Sequence, residues 1–209
     1  KDVNLHIKKG QTQCIVGPNG CGKTTILKII NDILPADSGE IKLGSKVTIG
    51  YYDQEHHVLD PDKTLFDELQ DAYPDLNNTQ IRNTLAAFLF TNDDVFKYIR
   101  DLSGGERGRV SLAKLMLSNA NFLILDEPTN HLDMESITAL NNSLIKYPGV
   151  LLFTSQDHQF VQTVANRIME LTPGGLIDKQ CTYDEYLEND EMARKRQVYN
   201  MSSDDENDN

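Results

Sequence analysis

Long apolar runs are missing. No stretch of the 209 residues approaches the roughly 18–20 apolar residues that span a bilayer, and the start shows no signal-peptide pattern. A soluble chain is expected. Cysteine is scarce: Cys14, Cys21 and Cys181 are few, odd in number and form no CxxC pair. Such usage argues against a disulfide framework and a zinc site, and fits a reducing cytoplasm. His6, His56 and His57 have no metal-ligand spacing either. Positive charge is also short, with 20 Lys and Arg against 32 Asp and Glu and a net charge of −12. That balance disfavours broad electrostatic binding of nucleic acid or an anionic membrane by this chain alone. Part of the excess is local, because the chain ends in SSDDENDN. Residues 199–209 are read as an acidic, solvated, disordered tail.

What is present suits one α/β domain with a subdomain, long enough to bury a proper core. TQCIV at 12–16 reads as a short apolar strand, and TTILKIINDIL as a helix that stops at Pro35. SGEIKLGSKVTIGYYDQ alternates between glycines, like a small antiparallel sheet. TLFDELQDAY and TQIRNTLAAFLF then read as amphipathic helices divided by PDLNN, a helical insertion that covers about 64–118 once the helix after LSGGE is included. FLILD and VLLFT are buried strands separated by the helix SITALNNSLIKY. A helix at about 158–165 and a closing hairpin, RIMELT with GLIDK, complete the pattern. Buried strands alternating with helices predict a mostly parallel sheet with crossovers. The opening KDVNLHIKKGQ reads as the second half of a β-hairpin.

The first strand runs straight into Gly17-Pro18-Asn19-Gly20-Cys21-Gly22-Lys23-Thr24-Thr25, which fits GxxxxGK(S/T). A strand precedes the motif and a helix follows it, the context a phosphate-binding loop requires. Glycines let backbone N–H groups turn inward, and those groups with the helix N-terminus attract phosphate oxygens. Lys23 is expected to reach the β- and γ-phosphates, and the Thr24 hydroxyl to ligate Mg2+. Cys21 reads as a small filler in the loop.

FLILDEPTNHLD puts Asp126 and Glu127 at the end of a buried strand, where ligands of α/β proteins bind. Asp126 suits the Mg2+ shell. Glu127 suits the polarisation of an attacking water, a role that phosphoryl transfer needs. Leu102-Ser103-Gly104-Gly105-Glu106 opens a helix. Ser is a good N-cap, and the two glycines leave N–H groups exposed, so this is either a helix cap or a second anion site.

GPNGCGKTT, LSGGERGR and LILDEPTNHLD, in this order and spacing, resemble the ATP-binding cassette (ABC) ATPases over about residues 3–180. The resemblance implies a P-loop NTPase core with a mostly parallel sheet, a small antiparallel β subdomain and a helical insertion, here a single cassette over 1–198. It implies that Gln54, in IGYYDQ, touches Mg2+ and the water. Asn130-His131-Leu132-Asp133 narrows it, since DEPTNHLD resembles the F type (ABC-F), soluble tandem-cassette proteins that act on ribosomes. IGYYDQEH, the LFTNDD stretch and DMESITALNNSL look most like the second cassette of one common bacterial branch of that type. On this resemblance two cassettes close head-to-tail on ATP, and Ser103, Gly104 and Gly105 of one cap the γ-phosphate held by the other. The chain is then expected to be an excised second cassette. Its base-stacking aromatic would fall at or before Lys1, and contacts with ribosome or tRNA would come through regions outside it or through a patch such as Arg194-Lys195-Arg196.

One position departs from the family. The strand after the acidic pair usually ends in Ser-His-Asp, and here it ends in Ser155-Gln156-Asp157. The family's histidine reaches the γ-phosphate and orients the water and Glu127. Gln156 can donate a hydrogen bond but cannot carry positive charge, so slow hydrolysis is expected. His158 reads as a helix-start residue that points elsewhere. Two alternatives stand beside an ATPase cassette of the F type: the ATPase subunit of an ABC transporter, and a non-hydrolysing, nucleotide-dependent dimerisation module.

Overall fold

A computed structural model describes residues 3–8, 10–18, 20–53, 58–188 and 194–195. Asn19, Gln54, His56, His57, Arg196 and the acidic tail lie outside the described residues. The strands are β1 (Thr12–Val16), β2 (Ile49–Tyr52), β3 (Phe122–Asp126), β4 (Val150–Thr154), β5 (Arg167–Thr172) and β6 (Gly175–Lys179). They form one sheet in the order β2-β3-β4-β1-β5-β6. Every pairing is parallel except the closing hairpin of β5 and β6.

Central parallel strands are covered on both faces, which is why β3 and β4 are continuous apolar runs. Successive side chains leave a strand on opposite sides. Leu123, Leu125, Leu151 and Phe153 accordingly join one buried cluster, and Phe122, Ile124 and Leu152 join the other. The helices are α1 (Lys23–Ile30), α2 (Leu65–Ala72), α3 (Asn78–Ala87), α4 (Gly104–Leu117), α5 (Met134–Ile145), α6 (His158–Val164) and α7 (Tyr183–Glu188). Leu27 of α1 belongs to the second cluster, while Leu69, Leu85, Val110, Leu140 and Phe160 of α2 to α6 belong to the first.

Helix starts follow the capping chemistry of the sequence. Thr64, Asn77, Ser103, Asp133 and Asp157 each accept a backbone N–H with their side chains. Asn77 with Gln80 and Ser103 with Glu106 are complete capping boxes. The first of these explains why PDLNN divides the two insertion helices. α1 differs: it starts on Gly22, at φ 107°, with no side-chain cap. Its first N–H groups are left for a ligand.

Three sequence expectations need correction. The alternating stretch before Tyr52 makes no antiparallel sheet: residues 38–48 carry no strand, and Ile49–Tyr52 instead pairs parallel with β3. Ile41 and Leu43, whose alternation raised the expectation, are 46% and 52% exposed, so no surface covers the apolar face that a half-buried strand needs. Residues 3–8 likewise carry no strand. α1 ends at Ile30 rather than near Pro35, because Asp32 turns into the left-handed region at φ 60° and Ile33 bonds back to the Lys28 carbonyl at 2.8 Å.

Candidate nucleotide site

Adjacent parallel strands β3, β4 and β1 end at the same edge of the sheet, and each delivers a loop there. From β1 comes Gly17 with the loop to α1. A Cβ on Gly17 would lie 2.9 Å from both the Leu171 carbonyl oxygen and the Cys21 sulfur, so the turn has no room for a side chain. Pro18, Gly20, Cys21 and Gly22 continue the loop, and the Cys21 N–H bonds the Pro18 carbonyl at 3.3 Å. Lys23 is the first residue of α1 and only 8% exposed. Its Nζ donates to the Gly17 carbonyl at 2.6 Å, which folds the lysine across its own loop. Thr24 and Thr25 follow, exposed, on the first turn of the uncapped helix.

Asp126 ends β3, directly opposite Thr154 at the end of β4. The Thr154 hydroxyl donates to Asp126 Oδ1 at 2.8 Å and accepts the Glu127 N–H at 2.9 Å. Glu127 turns the chain at φ 47°, in the left-handed region that L residues seldom occupy. Its carboxyl is pushed above the usual range, first by burial and then by neighbouring Asp126. Lys23 and the Gln156 backbone N–H, which hydrogen-bonds the carboxylate, pull the other way. These interactions bring the P-loop lysine, the acidic pair and the loop after β4 together.

In that loop Ser155 is buried and lies 3.3 Å from the Thr129 hydroxyl, and its Oγ accepts the Asp157 N–H at 3.1 Å. Asp157 caps α6 by accepting the Phe160 N–H at 2.8 Å. Between them Gln156 is exposed. It lines a cavity of about 200 Å³ with Gly17, Ser155 and His158. His158 opens α6 and turns to α7, where its Nε2 lies 2.8 Å from Asp184 Oδ1.

Ser103, Gly104 and Gly105 open α4 rather than this strand edge. Gly105 comes close to the loop after β3, at the His131 carbonyl. A larger open groove of about 490 Å³, lined by Phe88, Met116 and Tyr147 among others, gathers none of these residues.

Thr154 and Thr129 were missed by sequence reasoning. Both are buried hydroxyls next to recognisable motifs, and a threonine closing an apolar run carries no mark of its partners.

Asp126 and Thr24 offer hard oxygen donors suited to Mg2+. No cluster of three or more His, Cys, Asp or Glu able to hold a metal is present among the described residues. Mg2+ keeps several waters and takes most of its remaining ligands from phosphates.

A P-loop following β1, an acidic pair ending β3 and helices on both faces of a mostly parallel sheet define a P-loop nucleoside-triphosphatase fold. Residues 1–130 match the family described as ABC transporter, and the chain belongs to that ATP-binding cassette family. It is 50% identical over 197 residues to the uncharacterized ABC transporter ATP-binding protein YkpA of Bacillus subtilis, covering 93% of this chain and 36% of YkpA. It is 36% identical over 200 residues to ABC transporter F family member 5 of Arabidopsis thaliana, covering 95% of this chain and 29% of that protein. The chain thus spans about a third of the length of these curated relatives. Among solved structures, the dimeric cassette MJ0796 bound to ADP and phosphate shares the fold at TM-score 0.71 and 23% identity, over 86% of this chain and 89% of that one. An archaeal ribosome recycling factor, solved in complex with the ribosomal stalk protein aP1, matches at TM-score 0.68 and 31% identity over 78% of this chain and 32% of that one.

Proposed function

We propose that this chain binds MgATP and, closed head-to-tail against a second cassette, hydrolyses it slowly to ADP and phosphate. The observation that carries the proposal is the convergence of Lys23, Asp126, Glu127 and the loop of Gln156 at one sheet edge beside an uncapped helix N-terminus. The backbone N–H groups of Gly20, Gly22, Lys23, Thr24 and Thr25 cradle the phosphates, and Lys23 leaves the Gly17 carbonyl to meet the β- and γ-oxygens. Thr24 and Asp126 would hold the Mg2+, which when bound would neutralise charge on those oxygens. Glu127 orients the attacking water and accepts its proton. A carboxyl raised by burial is a better base once the site closes. The family resemblance assigns Asn19 and Gln54 to nucleotide and Mg2+ binding, and both lie outside the described residues. Ser103, Gly104 and Gly105 present the exposed head of α4 to the γ-phosphate held by the partner cassette.

Gln156 stands at the cavity beside Gly17 and donates only an amide hydrogen bond. Removing one well-placed charged donor from such a site costs on the order of 10²–10³ in rate. The closed, ATP-bound state is therefore long-lived.

The setting we propose is the ribosome, in the cytoplasm. Support comes from the F-type relative, from the archaeal recycling factor's complex with a stalk protein, and from the DEPTNHLD form of the acidic loop. No described helix is long and apolar enough to cross a membrane. With a charge of −12, contacts to RNA are left to other parts of the assembly.

The test is association of the chain with and without nucleotide, by light scattering on a sizing column, followed by pelleting with ribosomes. ATP is expected to drive pairing that ADP does not support, and the Glu127→Gln variant is expected to hold the pair longest. Lys23→Ala should abolish both binding and pairing. Identical monomers in ATP and ADP, or pairing that survives Lys23→Ala, would overturn the reading. Partition into membrane fractions in place of ribosomes would favour the transporter alternative.

A further inference from the structure

We infer that Thr154 is a positioning residue of the nucleotide site: its hydroxyl sets Asp126 for Mg2+ and Glu127 for water at the same time. The inference rests on the MgATP reading of the site and assigns a role to a residue outside every motif that led to that reading. Three observations carry it. Thr154 is fully buried at 0% exposure, so water does not compete for its hydroxyl. It sits across from Asp126 in the parallel register of β3 and β4, so the contact is built into the sheet. Its one donor goes to Asp126 Oδ1 at 2.8 Å, and a lone pair takes the Glu127 N–H at 2.9 Å.

The chemistry of a hydroxyl explains why both contacts matter. It has one proton to give and two lone pairs to accept with. Donating that hydrogen bond fixes which oxygen of Asp126 faces the strand, leaving the other for a cation. Accepting from Glu127 pins a residue held in left-handed backbone, at φ 47°. That conformation persists only where its surroundings hold it. A threonine also has restricted χ1 freedom, so the hydroxyl arrives already aimed. Groups that orient a metal's ligands typically govern metal affinity by 10–100-fold. Valine fills nearly the same space with no hydroxyl, and serine keeps the hydroxyl without the methyl.

The experiment titrates Mg2+ into the wild type, Thr154→Val and Thr154→Ser in the presence of a fluorescent ATP analogue, with a parallel titration of the analogue in EDTA. The Mg2+ needed for half-maximal binding is expected to rise about tenfold in Thr154→Val. Metal-free binding should stay within about twofold, and Thr154→Ser should return to within about threefold of the wild type, allowing for a looser rotamer. A merely structural role would shift both titrations together and would not be rescued by serine. Wild-type Mg2+ dependence in Thr154→Val overturns the inference while leaving the MgATP reading intact. No nucleotide binding by the wild type overturns both. Should Thr154→Val not fold, hydrogen exchange of the Glu127 amide in the nucleotide-free wild type decides. Strong protection is expected, and exchange as fast as an open loop's overturns the inference.

Discussion

The carbonyl oxygen of His131 lies 3.0 Å from the point where a Cβ on Gly105 would sit. The first turn of α4 and the loop after β3 therefore meet backbone against backbone. That loop is itself tied down, with the Asn130 N–H on the Glu127 carbonyl at 3.2 Å and the Leu132 N–H on the Thr129 carbonyl at 3.2 Å. The helix head therefore packs directly on the loop that begins at Glu127.

Gly105→Ala is the direct probe of that contact. One methyl pushes the two segments apart by a few tenths of an ångström, and overpacking of this kind costs about 1–3 kcal/mol. Urea unfolding should show the loss. ATP binding at the P-loop should be preserved, while ATP-driven pairing weakens about tenfold, equivalent to ~1.4 kcal/mol. Unchanged pairing would show that the close contact is packing alone.

Glu127→Gln should change how stability depends on pH. The folded state raises the carboxyl pKa from its ordinary 4.5, chiefly through burial. The native chain therefore binds this proton more tightly than the unfolded chain does. Stability contributed by the group is full below the ordinary value and is lost as pH rises through the native one. The variant has no charge to bury. Its Tm should exceed the wild type's near neutral pH, and the gap should close in acid. A gap that stays constant with pH, or widens in acid, would contradict the burial argument.

Gln156→His should raise turnover about 10²–10³-fold in the paired cassette and leave folding untouched, because the side chain is exposed. Steady-state phosphate release measures it. Equal rates would mean that Glu127 needs no help from this position.

Lys114 ties the helical insertion together. Its Nζ donates to Glu68 Oε1 at 2.9 Å and to the Val58 carbonyl at 3.4 Å, while the Asp60 N–H donates to Glu68 Oε2 at 3.3 Å. Glu68 is 5% exposed. Breaking a fully buried pair costs roughly 3–5 kcal/mol, and partial exposure of the lysine reduces that to about 2 kcal/mol for Lys114→Met. Adding Glu68→Gln should recover part of the loss, since it removes the stranded charge. A double-mutant cycle in urea reads both.

Much of this architecture was legible in the amino-acid sequence, and the reasons are local. β1, β3 and β4 are short apolar runs bounded by polar turns. α2, α3 and α4 open on Thr64, Asn77 and Ser103, side chains that announce a helix start. Asp126 and Glu127 stand where β3 ends, and Lys23 opens the helix after the loop from β1, so a motif in a strand's context pointed to each of them. Residues 38–48 misled because alternation predicts a strand only where a partner surface exists, and exposed Ile41 and Leu43 have none. Thr154 stayed hidden for the opposite reason. Its importance lies wholly in contacts with Asp126 and Glu127, 28 residues and 27 residues away along the chain, and no local pattern encodes a register between strands.

The turn after β4 has a further consequence. Its backbone is fixed from both sides, by Ser155 against Thr129 and by Asp157 on the head of α6. The residue between them, Gln156, is exposed. On the proposed MgATP reading, position 156 is a place where one codon would set how long the closed state lasts, on a scaffold inherited intact.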